Sequence, residues 1–453
     1  MIIVLTILIG LLLLVAIYLT YFQVVKAPFY SNHDLNARNW VDESKVLRGS
    51  ILDRNGNSLA YSKRDQKGNN YRIYNYNYMY TPIIGYNSSS LGRSGIESSY
   101  NRTLLNIPDN DDFISQVENM YRQSDRGKDV YLSIDTDIQA YMNELLGDYR
   151  GAIVVLDPRN GDILSMVSKP TFNVNQIHEN WDKLIDAEDG RLINRATQGL
   201  YPPGSIFKLV TATALLEKNI DLDYVDQGKT TIDGYTIHNI NNNEYGEIDL
   251  TAALVNSSNA YFADKSTQLN AKDFLDVTNR YMIGVKYDFD IPKNIARLPY
   301  KKKMSQLEIA ATAFGQGDTL ITPLDMAAMV SSIGNKGVLM KPRLVTKVVD
   351  KKFEQDIKPI VLSNAISQDI SESLTKAMTK TSAKNVKISS GLAVAGKSGT
   401  AEVENATHLW YVGFGPSDNA KYAIAIIVEN TGLENGHVAT SLFERAMNYL
   451  LTN

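Results

Sequence analysis

Residues 201–216 read Tyr-Pro-Pro-Gly-Ser-Ile-Phe-Lys-Leu-Val-Thr-Ala-Thr-Ala-Leu-Leu. Pro202 and Pro203 disfavour helix before Gly204. From Phe207 on, Leu209, Val210, Ala212, Ala214, Leu215 and Leu216 are apolar almost all round, the pattern of a buried helix. Ser205 is therefore expected at the N-terminus of a core helix, with Lys208 three residues on and on the same face. A serine hydroxyl is a weak nucleophile until a base takes its proton. A lysine amine can be that base if burial and a nearby cation favour its neutral form. Free N–H groups at the helix start would face a developing oxyanion. Taken alone, the same four residues also describe an N-cap serine beside a snorkelling lysine.

Apolar strands flank this helix on both sides in sequence. Gly151–Leu156 and Ile163–Val167 are joined by Pro158-Arg-Asn-Gly, a hairpin signal. Near the end come Ala393–Gly399, His408–Phe414 and Tyr422–Val428, then an amphipathic helix over 441–451. The stretch from about Ser205 to Val330 is mostly helical in pattern. Strands at both ends with helices between predict an α/β (α+β) domain. Its single antiparallel sheet is closed by the first hairpin pairing with the last strands, with helices on both faces.

Ahead of that domain lies a polar, turn-rich, Tyr-rich region. Asn55-Gly56 between Ile51-Leu52 and Leu59-Ala60 predicts a hairpin turn. Tyr74, Tyr76, Tyr78 and Tyr80 alternate, which predicts one face of a strand. Residues 123–129 read as a linker, followed by a short strand from Val130 and a helix over 137–146. Residues 1–25 carry no charged side chain, and Lys26 is the first. That run is long enough to cross a hydrocarbon core, and Tyr18, Tyr21 and Phe22 supply an interfacial belt. It lacks the basic start and small-residue cleavage site of a signal peptide, so a retained anchor is expected. The expected division is a transmembrane anchor over 1–25, a non-catalytic pedestal over 26–129 and a catalytic domain over 130–453.

Two more polar clusters complete a pattern. Asn256-Ser-Ser-Asn-Ala-Tyr-Phe contains Ser257 and Asn259, and alone reads as a turn or N-cap cluster. Ala395-Gly-Lys-Ser-Gly-Thr contains Lys397, with Ser398 and Thr400 hydroxyls, and Gly399 where a substrate backbone could approach an edge strand. Each is weak by itself. Their order, S-x-x-K then S-x-N then K-S-G, is the trio of penicillin-binding proteins and class A β-lactamases. The chain resembles a class B, monofunctional penicillin-binding protein over nearly its whole length. Arg48–Gly56, Gly85-Tyr86, Gly92–Glu97, Gly151–Pro170, Asn194-Arg-Ala, Gly315-Gln-Gly with Thr322-Pro, and Trp410–Phe414 carry the likeness. Two departures are Ser398, where many relatives have Thr, and the stretch from Glu434, which lacks a proline often found there.

The resemblance implies a fold: a penicillin-binding/serine β-lactamase-like transpeptidase domain on a smaller N-terminal pedestal, behind one transmembrane helix. It implies roles as well. Ser205 would be the acylated nucleophile and Lys208 its base. Ser257 would relay protons to the leaving group, and Asn259 would position Lys208 and the substrate amide. Lys397, Ser398 and Thr400 would hold the substrate carboxylate, and the Ser205 and Thr400 N–H groups would form the oxyanion hole. The implied reaction is peptidoglycan D,D-transpeptidation of D-Ala-D-Ala stem peptides, blocked by β-lactams. The implied partner is a membrane-embedded glycan polymerase of the shape, elongation and division family. The implied location is the cell membrane, with a single pass and the catalytic domain outside the cytoplasm. A D,D-carboxypeptidase and a non-turnover β-lactam sensor or scaffold remain the alternatives.

Composition narrows the field further. The chain has 453 residues and no cysteine, which excludes disulfides and a thiolate nucleophile. A net charge of −4 gives no basic field for nucleic acid. About 100 residues between anchor and catalytic domain are too few for a second large catalytic domain. The five histidines show no metal spacing, so neither metal nor cofactor is expected; His408, near the K-S-G-T strand, is the candidate for a role beyond structure.

Overall fold

The computed structural model describes residues 2–22, 26, 45–107, 126–300, 303–350, 354–403, 406–431 and 437–452. The end of the expected anchor (23–25), the first part of the expected linker (123–125) and residues 434–436 lie outside them. The first element, α1 (Ile2–Tyr21), is apolar, and 19 of its residues form a candidate membrane span with no side chain buried in the protein.

The pedestal begins with the expected hairpin. β1 (Ile51–Leu52) and β2 (Ser58–Arg64) pair with Ile51 opposite Ala60, and β3 (Asn70–Tyr74) pairs with β2. Asp53 fixes the hairpin turn by accepting from the Asn55 and Asn57 amides. The expected tyrosine strand does not form. β3 ends at Tyr74, Tyr76 and Tyr78 lie in a bend and turn, and Tyr80 precedes a short helix, Thr81–Ile84. The alternation was misread because Pro82 starts that helix and draws the chain into it. Tyr76 packs edge-on against Tyr80 instead.

A buried ion cluster ties the pedestal together. Glu97 has no exposed surface and bonds Arg48 Nε at 2.6 Å and Arg72 Nε at 2.7 Å. Burial opposes ionisation of Glu97, but Arg72 and Arg48 outweigh it and hold the carboxyl below its usual range.

β4 (Asp129–Leu132) lies parallel to β1 and antiparallel to β7 (Val345–Val349). One six-stranded sheet therefore runs through both parts, in the order β8 (Glu354–Asp356), β7, β4, β1, β2, β3. Side-chain bonds add to this joint: Thr136 to Asp53 at 2.5 Å, Gln139 to the Met79 carbonyl at 3.2 Å, and Tyr100 to Asp290 at 2.5 Å.

The catalytic part is built on a five-stranded antiparallel sheet. β5 (Gly151–Leu156) and β6 (Ile163–Lys169) form the first hairpin. β9 (Ala395–Val403), β10 (Ala406–Gly415) and β11 (Tyr422–Thr431) come from the other end of the chain. The order β9-β10-β11-β5-β6 puts β9 at an edge and closes the sheet through β11 and β5, as the sequence predicts. Both faces are buried. Val154, Leu156, Val412, Phe414, Ala425 and Ile427 join the cluster that includes α3 (Lys208–Glu217) and α6 (Pro323–Gly334). Ile153, Val155, Leu409, Tyr411, Ile424 and Ile426 face α2 (Thr136–Leu146) and α7 (Val438–Thr452), where Phe443 stacks on Tyr411. This is why the strand sequences are continuous apolar runs: alternate residues point to opposite faces, and each face has a helical cover.

The middle is less helical than expected. Between α3 and α4 (Leu250–Asn256) the chain forms an arm of short strands over 224–248, whose hairpin pairs Lys229–Ile232 with Tyr235–His238. Asp233 and Gly234 at its tip both have positive φ, the two-residue turn that Asp-Gly favours.

Replacing Glu97 with Ala leaves two buried guanidinium groups facing each other. The expected cost is about 3–5 kcal/mol, read as a lower denaturation midpoint of the detergent-solubilised chain. A midpoint unchanged from wild type would show that the cluster does not hold the pedestal.

Candidate active site

The three motifs meet at one corner of the sheet. Pro203, Gly204 and Ser205 lead into a 3-10 turn over Gly204–Phe207, and α3 starts at Lys208. The helix thus begins three residues later than expected, and Ser205 sits in the tight turn before it. Ser205 is partly exposed, whereas Lys208 is fully buried.

The turn is wedged by close backbone contacts. Gly204 has φ of +55°, and a Cβ there would lie 2.4 Å from the Thr400 carbonyl oxygen. Its amide donates to the Gly315 carbonyl at 3.0 Å. Gly399 packs against the same turn: a Cβ would stand 3.2 Å from the Ile206 nitrogen and 3.2 Å from the Pro203 oxygen. Gly399 thus opens space for the protein's own serine turn. Trp410 on β10 donates from Nε1 to the Pro202 carbonyl at 3.0 Å and fixes the turn from the other side.

The middle motif is a helix–helix corner. Ser257 caps the end of α4 in left-handed conformation, and Ser258 caps the start of α5 (Asn259–Ser266) by accepting from the Tyr261 amide. Lys208 Nζ donates to the Ser257 carbonyl at 2.7 Å and to Asn259 Oδ1 at 2.7 Å, and lies 3.2 Å from Ser257 Oγ. Lys397 Nζ reaches the same hydroxyl at 3.1 Å and the Ser398 carbonyl at 2.9 Å. On β9, Lys397 and Gly399 share the buried face, while Ser398 and Thr400 are half-buried on the other. The Lys397 ammonium thus lies against the Ser257 hydroxyl.

Burial, and then the Lys397 charge, hold the Lys208 amine well below the usual lysine range. Burial pushes Lys397 down to about 8. A neutral Lys208 amine has two N–H bonds for its two acceptors at 2.7 Å, which leaves its lone pair to accept, from the Ser257 hydroxyl at rest or from a nucleophile in reaction. Ser257 can then receive from Lys397 and donate to Lys208. The corner can deprotonate a nucleophile on one side of the site and return a proton on the other.

Two features near the site had no sequence signal. Glu429 on β11 accepts from Tyr201 at 2.5 Å and from Arg195 Nε at 2.8 Å, which anchors the residue that opens the serine turn. His408 belongs to this cluster: it packs edge-on against Tyr201, accepts weakly from the Asn430 amide, and burial lowers its pKa. The second feature is a buried Asp226–Asn239–Ser258 network behind the middle motif. Among the described residues, no group of three or more His, Asp or Glu side chains could hold a metal ion.

Comparison with known proteins places this geometry. Residues 151–448, well over half the chain, match the model of the penicillin binding protein transpeptidase domain. The chain belongs to the penicillin-binding protein transpeptidase family. Residues 48–130 match the penicillin binding protein A dimerisation domain, so the pedestal, too, has the form found in class B members. Among curated relatives, the peptidoglycan D,D-transpeptidase PbpA of Mycolicibacterium smegmatis is 28% identical, over 90% of this chain and 89% of its own. MrdA of Haemophilus influenzae, also a peptidoglycan D,D-transpeptidase, is 24% identical over 94% of this chain and 70% of its own. Among solved structures, a D,D-transpeptidase domain from Eggerthella lenta superposes with TM-score 0.81 at 28% identity, covering 90% of this chain and 99% of that one. Penicillin-binding protein A of Mycobacterium tuberculosis, solved as a ceftriaxone acyl-enzyme, shares the fold at TM-score 0.81 and 24% identity, over 90% of this chain and 99% of its own.

Gly204→Ala would drive a methyl into the Thr400 carbonyl while demanding a left-handed alanine. The expected result is a loss of covalent penicillin labelling by about a hundredfold or more, with the fold retained by circular dichroism. Labelling at the wild-type rate would show that the close approach of turn and strand is not needed.

Proposed function

We propose that the chain is a membrane-anchored peptidoglycan D,D-transpeptidase that works through an acyl-enzyme on Ser205. The observation that carries this reading is the convergence on the Ser257 hydroxyl of Lys397 and of Lys208, the residue three along from Ser205. The mechanism runs as two acyl transfers. Ser205 Oγ attacks the carbonyl of the penultimate D-Ala of a stem peptide, and its proton passes to the Lys208 amine. The Ser205 and Thr400 backbone N–H groups hold the oxyanion. As the C–N bond breaks, Ser257 delivers a proton to the departing D-Ala amine, replenished from Lys208. The Ser205 ester is then attacked by an amine from a neighbouring stem. The acceptor's proton leaves by the same route and Ser205 is regenerated. Ser398 and Thr400 hydroxyls bind the terminal carboxylate, and the Lys397 charge favours it through Ser257. Asn259 holds Lys208 and meets the substrate amide.

A β-lactam traps the first half of this cycle, because its ring nitrogen stays tethered after the amide opens. On this reading an anchor over 1–25 and a pedestal over 26–129 would carry the catalytic part, 130–453, outside the cytoplasm at the end of a single-pass helix. There a membrane-embedded glycan polymerase of the shape, elongation and division family would supply glycan strands.

Intact-protein mass spectrometry after exposure to a penicillin tests the nucleophile. One adduct is expected on the wild-type chain and none on Ser205→Ala. A folded wild-type chain unlabelled by several β-lactams would overturn the reading. The pH dependence of second-order acylation follows from the two lysines. Lys208 must be neutral to accept a proton, so the rate rises as pH passes its depressed pKa. Lys397 must be charged, so the rate falls as pH passes about 8. A profile still rising at pH 9.5 would remove Lys397 from that role.

A further inference from the structure

Behind the Ser257–Asn259 corner lies a fully buried polar network that the mechanism does not use. Asp226, at the base of the strand arm, is 1% exposed; Asn239 is 3% and Ser258 0% exposed. Among the described residues, the Asp226 carboxylate takes neutral donors. They are the Gly228 amide at 2.7 Å, Asn239 Nδ2 at 2.8 and 3.1 Å, and the Ser258 hydroxyl at 2.5 Å. Asn239, so oriented, presents Oδ1 to the Ala260 amide at 2.9 Å and to Ser258 Oγ at 3.2 Å. Its chain neighbour His238 offers a carbonyl to Asn259 Nδ2 at 3.1 Å. That bond decides which way the Asn259 amide points. With its nitrogen held by His238, its oxygen faces Lys208.

The same network bears on Ser257. A serine with φ of 54° and ψ of 41° sits where side chains are disfavoured, and such a conformation persists only where its surroundings over-determine it. Ser257 is fixed from the Lys208 side by its carbonyl and from the other side by Ser258, whose hydroxyl is clamped between Asp226, Asn239 and the Tyr261 amide. A carboxylate suits position 226, because the Gly228 amide and Asn239 Nδ2 can only donate there and the Ser258 hydroxyl donates to it as well. An amide would turn an N–H toward at least one of them.

We propose that Asp226 is a positioning residue for catalysis. Through Asn239 and Ser258 it holds Ser257 and Asn259 in the one arrangement that serves both lysines. It touches neither substrate nor reacting atoms. The proposal rests on the transpeptidase reading above, and the two can fail separately.

The test is stopped-flow acylation of the full-length, detergent-solubilised chain by a fluorescent penicillin, with pre-covalent binding (Ks) and acylation (k2) resolved. Asp226→Asn is expected to lower k2 by about tenfold to a hundredfold, the range for misplacing a proton-transfer group, with Ks within about twofold. Ser258→Ala keeps the carboxylate and removes one clamp; it is expected to lower k2 by a smaller factor, and it carries the test if Asp226→Asn does not fold. Asn270→Ala removes a helix cap outside the Asp226 network and controls for lost stability; it should leave k2 and Ks unchanged. A k2 within twofold of wild type in folded Asp226→Asn, or in folded Ser258→Ala where that variant carries the test, would overturn the proposal. So would equal losses in Asn270→Ala. If the wild-type chain itself is not acylated, the functional reading fails first, whatever position 226 does.

Discussion

Two lysine amines share one serine hydroxyl. Lys208 and Lys397 stand 3.2 and 3.1 Å from Ser257 Oγ, both out of water. Two full charges at most about 6 Å apart repel by at least roughly 3 kcal/mol at an effective dielectric of about 20. Burial adds its own penalty on the charged forms. The arrangement is tolerable with one amine neutral. Burial and then the Lys397 charge hold Lys208 well below the usual lysine range, whereas burial brings Lys397 down only to about 8. Base and cation are thus assigned by position rather than by residue type.

Much of the fold serves to bring three distant segments to that hydroxyl. Lys397 lies on the edge strand β9, which is held in register by β10 and, through it, by β11 and the first hairpin. Lys208 starts α3, buried in the cluster on one face of the sheet. Ser257 sits at a corner between α4 and α5, and its neighbour Ser258 is bonded from behind by Asp226. The serine turn is squeezed between Gly315 and β9 with no room for a side chain at Gly204. Dense packing of this kind makes the corner stiff, and stiffness preserves the proton path.

The sheet was legible in the sequence because its strands are covered on both faces and so read as unbroken apolar runs. Its closure by β5 and β11 followed from strands at both ends of the chain. The arm over 224–248 was missed although Asp233-Gly234 sat between alternating residues, because the helical pattern around it dominated. The tyrosine alternation misled for the opposite reason: a period of two was real, but Pro82 recruited its end into a helix. In the site, each motif was weak alone and gained meaning from order. Asp226, Asn239 and Glu429 were invisible, since single buried polar residues have no spacing. Gly399 was seen but for another reason; the neighbour it admits is the chain's own turn.

The most direct measurement is a titration of the two amines themselves. Lysine side-chain nitrogens can be labelled and followed by NMR in the full chain, with Lys208→Arg and Lys397→Arg variants supplying the assignments. The account predicts that Lys208 loses its proton at lower pH than Lys397, and well below the ordinary lysine value. A Lys208 that titrates above Lys397, or near the ordinary value, would contradict it.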